Sequence, residues 1–289
     1  MRMWFSSRSA GAEGMVLKEK RKMTAAEEAW DLLKTVFYAV AIALVLRIII
    51  FQPFNIPSGS MKPNLLVGDF LFVSKPAYGY SRASLIWPLT RLPIEGRIFP
   101  NVPERGDIIV FKNRRDHNKD YIKRVIGVPG DTIEMRAGLL LINGEPVKRE
   151  YLGSGAEGCE RFQTEAQSFR ETLPNGVTYV TLECMADRGD LDDTALVFQR
   201  YARAYPEDYP QGGKAQYVVP DGRLFMMGDN RDNSRDSRDL NAVGYVPLED
   251  VVGKADRLFF SVDGERARIW EIWNWPFAIR YGRILDPVK

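Results

Sequence analysis

The 289-residue chain is nearly empty of the residues most hydrolases rely on: it has one histidine, His117, and two cysteines, Cys159 and Cys184. A Ser-His-Asp or Cys-His enzyme would have to rest on His117 alone, and a zinc site normally takes three or four His/Cys ligands at short spacing. Two cysteines 25 positions apart do not make a small disulfide scaffold either. Excess charge is missing as well. The 40 Lys+Arg against 38 Asp+Glu leave a net +2, which gives no electrostatic reason to expect nucleic acid as a partner. There is no internal repeat, no low-complexity block, and only one apolar run long enough to cross a bilayer. An enzyme of this composition moves its protons without histidine.

What is present begins with place. Residues 1–28 are polar and carry Lys18-Glu-Lys-Arg-Lys22, after which Trp30 to Phe51 turns apolar. As a helix those 22 residues span roughly 33 Å, about the hydrocarbon thickness of a membrane. Lys34 and Arg47 lie near its ends, where long basic side chains reach the headgroups. Lys18, Lys20, Arg21 and Lys22 precede Ala29, whereas Gln52 to Leu71 hold only Lys62. The positive-inside rule therefore puts the N-terminus in the cytoplasm and the remaining 238 residues outside. A buried core helix and a cleaved signal peptide compete with this reading, but the stretch exceeds an ordinary h-region and Gln52-Pro-Phe-Asn-Ile-Pro lacks a small-x-small cleavage pattern. In an exported region Cys159 and Cys184 are expected to pair, with two buried free thiols as the alternative.

Beyond the anchor the chain reads as mainly β. Asp69–Lys75, Asp107–Lys112, Tyr121–Val128, Asp131–Met135, Leu139–Ile142 and Gly222–Met227 are short β-rich runs, bounded by Pro-Gly-Asp, Asn-Gly and Pro-Asp-Gly turns. Residues 148–215 are more polar and hold both cysteines. The expected organisation is a basic cytoplasmic tail (1–28), one transmembrane helix (29–51), an antiparallel β-sheet catalytic core (52–147 and 216–289) and a smaller inserted lobe (148–215). Trp270, Trp273 and Trp275 near the end suit either core packing or a rim at the membrane interface.

Three segments carry chemistry. Ile56-Pro-Ser-Gly-Ser-Met-Lys-Pro63 places a serine turn between two prolines, nine residues beyond Phe51; even fully extended, those residues reach only about 30 Å. A hydroxyl needs a base to become a nucleophile, and without a usable histidine the candidates are Lys, Asp and Glu. Lys123 interrupts the apolar run Tyr121-Ile-Lys-Arg-Val-Ile, on one face with Tyr121 and Val125. A lysine titrating near 10.4 is useless as a base, but desolvation can bring it down several units. Local sequence alone favours the plainer reading, an edge-strand lysine pointing to water, just as Ser58 and Ser60 are by default turn residues. The third segment, Met227-Gly-Asp-Asn-Arg-Asp-Asn-Ser-Arg-Asp-Ser-Arg238, fails the calcium-loop pattern and reads instead as an Asp/Arg ion-pair network.

In this order, the anchor, Pro57–Pro63 with Gly68-Asp-Phe70, Arg105–Lys112, Tyr121–Asp131 and Gly228–Ser234 resemble the bacterial type I signal peptidases, membrane-anchored serine proteases with a Ser/Lys dyad. The resemblance implies Ser60 as nucleophile and Lys123 as general base, against the edge-strand reading. It implies an oxyanion hole from Ser58 and the Ser60 N–H, Ser234 orienting the lysine, and supporting pairs Arg124–Asp229 and Asp236–Arg238. Phe54, Ile56, Pro57, Tyr121 and Ile122 would line shallow pockets for small side chains, hence Ala-x-Ala cleavage sites. The implied partners are preproteins emerging from the export machinery and membrane lipid, with no nucleic acid, no metal and no organic cofactor. The implied location is the bacterial cytoplasmic membrane, catalytic region outward. Two other readings are a self-cleaving repressor-type Ser/Lys protease, for which residues 1–28 are too short a DNA-binding head, and a non-catalytic single-pass scaffold, against which Ser60, Lys123 and Ser234 stand together.

Overall fold

The computed structural model describes residues 24–85, 89–91, 93, 95–159, 164–184, 194–195, 197–198, 215–264, 266, 271 and 273–289. Most of the basic tail and Trp270 therefore lie outside the described residues. The chain divides into two units, residues 1–44 and 45–289.

The first described element is helix α1 (Ala25–Ile49). Thr24 and Glu27 cap it reciprocally: the Thr24 N–H donates to Glu27 Oε2 at 2.8 Å and the Glu27 N–H to Thr24 Oγ1 at 3.4 Å. Ala25–Arg47 has a mean hydropathy of 1.8 and is apolar on every side, with Leu33, Phe37, Val40 and Leu44 all exposed. A helix that is apolar all round needs an apolar surrounding, which here fits a membrane anchor. Phe51, expected as the last residue of this helix, is instead the first of strand β1 (Phe51–Asn55). Pro53 cannot continue a helix and biases Gln52 to extended backbone.

The unit of residues 45–289 is mainly antiparallel β. After β1 come β2 (Asp69–Ser74), β3 (Tyr80–Ser81), β4 (Arg97–Ile98), β5 (Ile108–Asn113), β6 (Lys119–Gly127), β7 (Thr132–Arg136), β8 (Leu139–Ile142) and β9 (Glu145–Pro146). They are followed by β10 (Lys148–Ala156), β11 (Ala166–Thr172), β12 (Thr178–Glu183), β13 (Tyr217–Val218), β14 (Arg223–Met227), β15 (Val246–Pro247) and β16 (Val251–Ser261). A seven-stranded sheet runs β1-β2-β16-β5-β6-β14-β15, and a four-stranded sheet runs β13-β7-β8-β9. A third sheet, β10-β11-β12, is built within the 148–215 stretch expected as an inserted lobe.

Alternation shows plainly in β2, while β5 and β14 are near-continuous buried runs. Along β2, Asp69, Leu71 and Val73 are buried while Phe72 is exposed, and Phe70 and Phe72 meet Phe259 and Phe260 of β16 on the opposite face. Leu71 and Val73 join Ile56, Met61, Leu65, Ile108 and Val110 in one core cluster; Tyr78, Ile109, Phe111, Val125 and Met226 form another. The first of these fixes the serine turn, since burying Met61 and Leu65 is worth about 1.5–3 kcal/mol each. At the far end Trp273 is 67% exposed and Trp275 is exposed as well, so neither packs in the core.

Candidate active site

Ser60 sits on a single 3-10 turn, Gly59–Met61, just after β1. Met61 plugs into the core beneath it, leaving Ser60 7% exposed. Its carbonyl accepts the Asn230 N–H at 3.1 Å, and its Oγ lies 3.4 Å from Ser58 Oγ.

Lys123 is in the interior of β6, which is hydrogen-bonded to β5 on one side and to β14 on the other. At Lys123 itself the paired neighbour is Ile109 of β5, since β14 joins from Arg124 onward, but the side chain is 3% exposed and so does not point to water. Lys123 Nζ lies 2.6 Å from Ser60 Oγ and donates to the Ile122 carbonyl at 3.0 Å. Burial lowers its pKa from 10.5 to about 8; Asp236 and Asp229 pull it upward, and Arg238 pushes it down. A buried amine with a lowered pKa, in hydrogen-bond contact with a serine hydroxyl, can take that hydroxyl's proton.

The loop after β14 closes the site from a second side. Gly228 touches it directly: a Cβ there would run into Ser234 and into the Ser60 carbonyl, so no other residue fits without displacing them. The Gly228 N–H donates to Asp236 Oδ2 at 2.9 Å, and Arg238 Nε donates to Asp236 Oδ1 at 2.9 Å. Burial pushes the Asp236 carboxyl up, but Arg238 and the Gly228 N–H outweigh it and hold the group below the usual carboxylate range. Ser234 was expected to bond the lysine amine. Its buried Oγ is near enough to Asp236 to help hold that carboxylate ionised, but it closes no well-aligned hydrogen bond to any described group, Lys123 included.

Arg124, next to the lysine, points to the other side of β6 and grips Asp229 with two parallel bonds, Nε to Oδ1 and Nη2 to Oδ2, both 2.8 Å. Of the pocket candidates, Ile56, Phe54 and Ile122 gather in one apolar cluster beside the serine turn, Ile56 fully buried as its floor. Pro57 is exposed on the turn itself. Tyr121 packs instead with Phe111 in the other cluster, its ring 5.6 Å from Lys123 Nζ. His117, with a side chain 92% exposed, takes no part.

Local sequence offers no signal for Glu171, Tyr179 and Asn64, which the fold brings here as partners of the Asp/Arg network. Arg231 is buried and pairs with Glu171 of β11, Nη1 to Oε1 at 3.0 Å and Nη2 to Oε2 at 2.6 Å. Tyr179 of β12 donates to the same carboxylate at 2.9 Å and stacks under the Arg124 guanidinium, 4.1 Å from ring to cation. Asn64 Nδ2 donates to Asp229 Oδ2 at 2.7 Å. Cys159 and Cys184 are joined as a disulfide, with Cα atoms 5.4 Å apart.

The family profile described as signal peptidase, peptidase S26, matches residues 29–260. The chain belongs to this family. A signal peptidase I of Rickettsia typhi is 39% identical over 227 residues, covering 78% of this chain and 77% of that protein. Signal peptidase I of Rickettsia canadensis is 39% identical over 247 residues, covering 84% of this chain and 83% of its own. A crystal structure of a signal peptidase I from Enterococcus faecalis has 24% identity and a TM-score of 0.28, covering 53% of this chain and 97% of that one. Membership makes the chain a serine endopeptidase of the signal-peptide-removing kind, and its apolar N-terminal helix is consistent with membrane anchoring.

Proposed function

We propose that this signal peptidase cuts exported preproteins at Ala-x-Ala-type sites with Ser60 as nucleophile and Lys123 as general base. The observation that carries the reading is the 2.6 Å separation of Lys123 Nζ and Ser60 Oγ, with the amine buried and lowered to about 8. The neutral amine takes the Ser60 proton as Oγ attacks the scissile carbonyl. The negative charge that develops on the carbonyl oxygen is met by the Ser58 hydroxyl and the Ser60 N–H. The lysine, now protonated, gives its proton to the leaving amine, which departs as the mature protein and leaves the signal peptide esterified to Ser60. Neutral again, Lys123 takes a proton from a water whose oxygen attacks the ester carbonyl; as the ester bond breaks, the lysine returns that proton to Ser60 Oγ and the signal peptide leaves with a new carboxyl group.

Phe54, Ile122 and the buried Ile56 offer the apolar surface on which small side chains of the cleavage site would rest, with Pro57 exposed on the turn and Tyr121 in the neighbouring cluster. Arg124–Asp229 and Asp236–Arg238 hold the dyad rigid, and Ser234 acts on the lysine indirectly, through Asp236. The location proposed is the bacterial cytoplasmic membrane, with the N-terminus inside and the catalytic region outside. Ser60 is the ninth residue after Phe51, so the site is within reach of a scissile bond leaving the bilayer. The partners are then preproteins delivered by the export machinery and the membrane lipid itself. The exposed Trp273 and Trp275 suit the headgroup region.

The test is cleavage of a preprotein carrying Ala-x-Ala by the purified protein, beside Ser60→Ala and Lys123→Ala. Both variants should lose cleavage by several orders of magnitude, on the order of 10⁴-fold or more. Variants that cleave as fast as the parent would remove the dyad assignment.

A further inference from the structure

The disulfide lies in the lobe that the proposed chemistry does not use, yet it is only a few bonds from the nucleophile. Cys159 follows Gly158, whose carbonyl accepts two side-chain amides of the catalytic loop, Asn230 Nδ2 at 2.7 Å and Asn233 Nδ2 at 3.2 Å. Its partner Cys184 donates its backbone N–H to Asp232 Oδ2 at 2.6 Å. Two residues earlier, Leu182 exchanges backbone bonds with the same loop, Leu182 N–H to the Asp229 carbonyl and Arg231 N–H to the Leu182 carbonyl, both 2.9 Å. The bridge thus ties the segment just after β10 to the end of β12, the two stretches that grip residues 229–233.

Asn230 passes this grip on. It is fully buried. Its second amide hydrogen goes to the Gly59 carbonyl at 3.1 Å, and its backbone N–H goes to the Ser60 carbonyl at 3.1 Å. Both contacts of Nδ2 are carbonyl oxygens, which fixes the orientation of the amide. One residue therefore joins the lobe at Gly158 to both carbonyls of the nucleophile turn, its side chain to that of Gly59 and its backbone N–H to that of Ser60. Gly158 has φ +155°, and a Cβ there would press on Leu182 and on Asn230 Nδ2, so this approach needs glycine.

We propose that Asn230 is a positioning residue for Ser60 and that the Cys159–Cys184 disulfide, acting through Gly158 and Asn230, sets the rate of the peptidase, making it sensitive to thiol reductants. The proposal rests on Ser60 being the nucleophile. A dithiol reductant supplies two electrons and two protons to the bridge, giving two thiols and the oxidised, cyclic reductant. Gly158 is then released from Cys184, and the nucleophile turn loses part of its support. Misplacing a nucleophile by a fraction of an ångström slows chemistry without weakening substrate binding.

The experiment uses the full-length enzyme in detergent on a preprotein substrate, with kcat and KM measured separately. Asn230→Ala should lower kcat by roughly tenfold or more while KM stays within about twofold. Cys159→Ser/Cys184→Ser should lower kcat severalfold. The combined variant should be no slower than Asn230→Ala alone, because bridge and amide act in series. If the cysteine variant does not fold, the same comparison is made by reducing the parent and Asn230→Ala with dithiol, counting free thiols: reduction should slow the parent and leave Asn230→Ala unchanged. The proposal is overturned if loss of the bridge leaves kcat untouched, if it multiplies with Asn230→Ala, or if either change acts on KM alone. An inactive Ser60→Ala beside bridge variants as fast as the parent would sink this coupling and leave the dyad standing; an active Ser60→Ala would sink the dyad first.

Discussion

Lys123 has to act as a base while buried, and that demand shows in two measurements, both of which rise with pH. Its amine titrates at about 8 rather than 10.5, because burial disfavours the charged form more than Asp236 and Asp229 favour it, with Arg238 adding to the lowering. The neutral amine is the active form, so kcat/KM for a preprotein should rise with pH through an inflection near 8 and then level off. Between pH 8 and pH 6 the neutral fraction falls from about one half to about 1%, a loss of roughly fiftyfold in rate. A lysine left at its ordinary value would give a profile still climbing about tenfold per unit at pH 9.

The second measurement is stability. Between pH 10.5 and about 8 the unfolded chain binds a proton at Lys123 that the folded protein does not, so stability falls as pH drops through that window. Below about 8 both states bind it and the penalty is constant. At about 1.4 kcal/mol per pH unit the penalty is on the order of 3 kcal/mol. Lys123→Met keeps the apolar stem and removes the amine. It should be inactive, yet more stable than the parent near pH 7 by about 1–3 kcal/mol, after allowing for the lost bonds to Ser60 and the Ile122 carbonyl. That advantage should shrink as pH rises toward 10.5. Urea unfolding of the two proteins side by side, in one detergent, reads the difference. A Lys123→Met protein less stable than the parent at pH 7, or a kcat/KM profile flat from pH 6 to 9, would refute the reasoning.

Two further outcomes follow from the surrounding network. Asp229→Asn leaves the Arg124 guanidinium buried without its carboxylate and should lower the unfolding free energy by about 3–5 kcal/mol in a denaturant titration; it also removes one of the charges that raise the Lys123 pKa, so the acid limb of the rate profile should move to lower pH. Gly228→Ala puts a methyl group against Ser234 and the Ser60 carbonyl and should cut kcat by on the order of tenfold or more, measured by single-turnover cleavage of the preprotein.

How far the site is legible in the sequence depends on how local its determinants are. The strands β2, β5, β6, β7, β8 and β14 follow from short β-rich runs bounded by turn residues within one window. The serine turn follows from Pro57, Gly59 and Pro63. β16 is harder to read, because its burial pattern is broken by two irregularities where it pairs with β2. The lobe is harder still, since one face of β10–β12 is solvated and its strands read as polar. Lys123 shows the difference most clearly. Its own segment argues for an edge strand; what makes β6 central is β14, laid against it a hundred residues later. Glu171 looks like an ordinary surface charge until folding buries it against Arg231 of the Asp/Arg segment, and a buried charge is tolerable only where its partner is within reach. The groups that set the amine at about 8 come from the interior of β6 and from Asp229, Asp236 and Arg238 of the loop beyond β14. No single stretch of sequence contains them all. The residue types that do the chemistry can therefore be named from sequence, while the basicity that lets a lysine do it is a property of the assembled sheet.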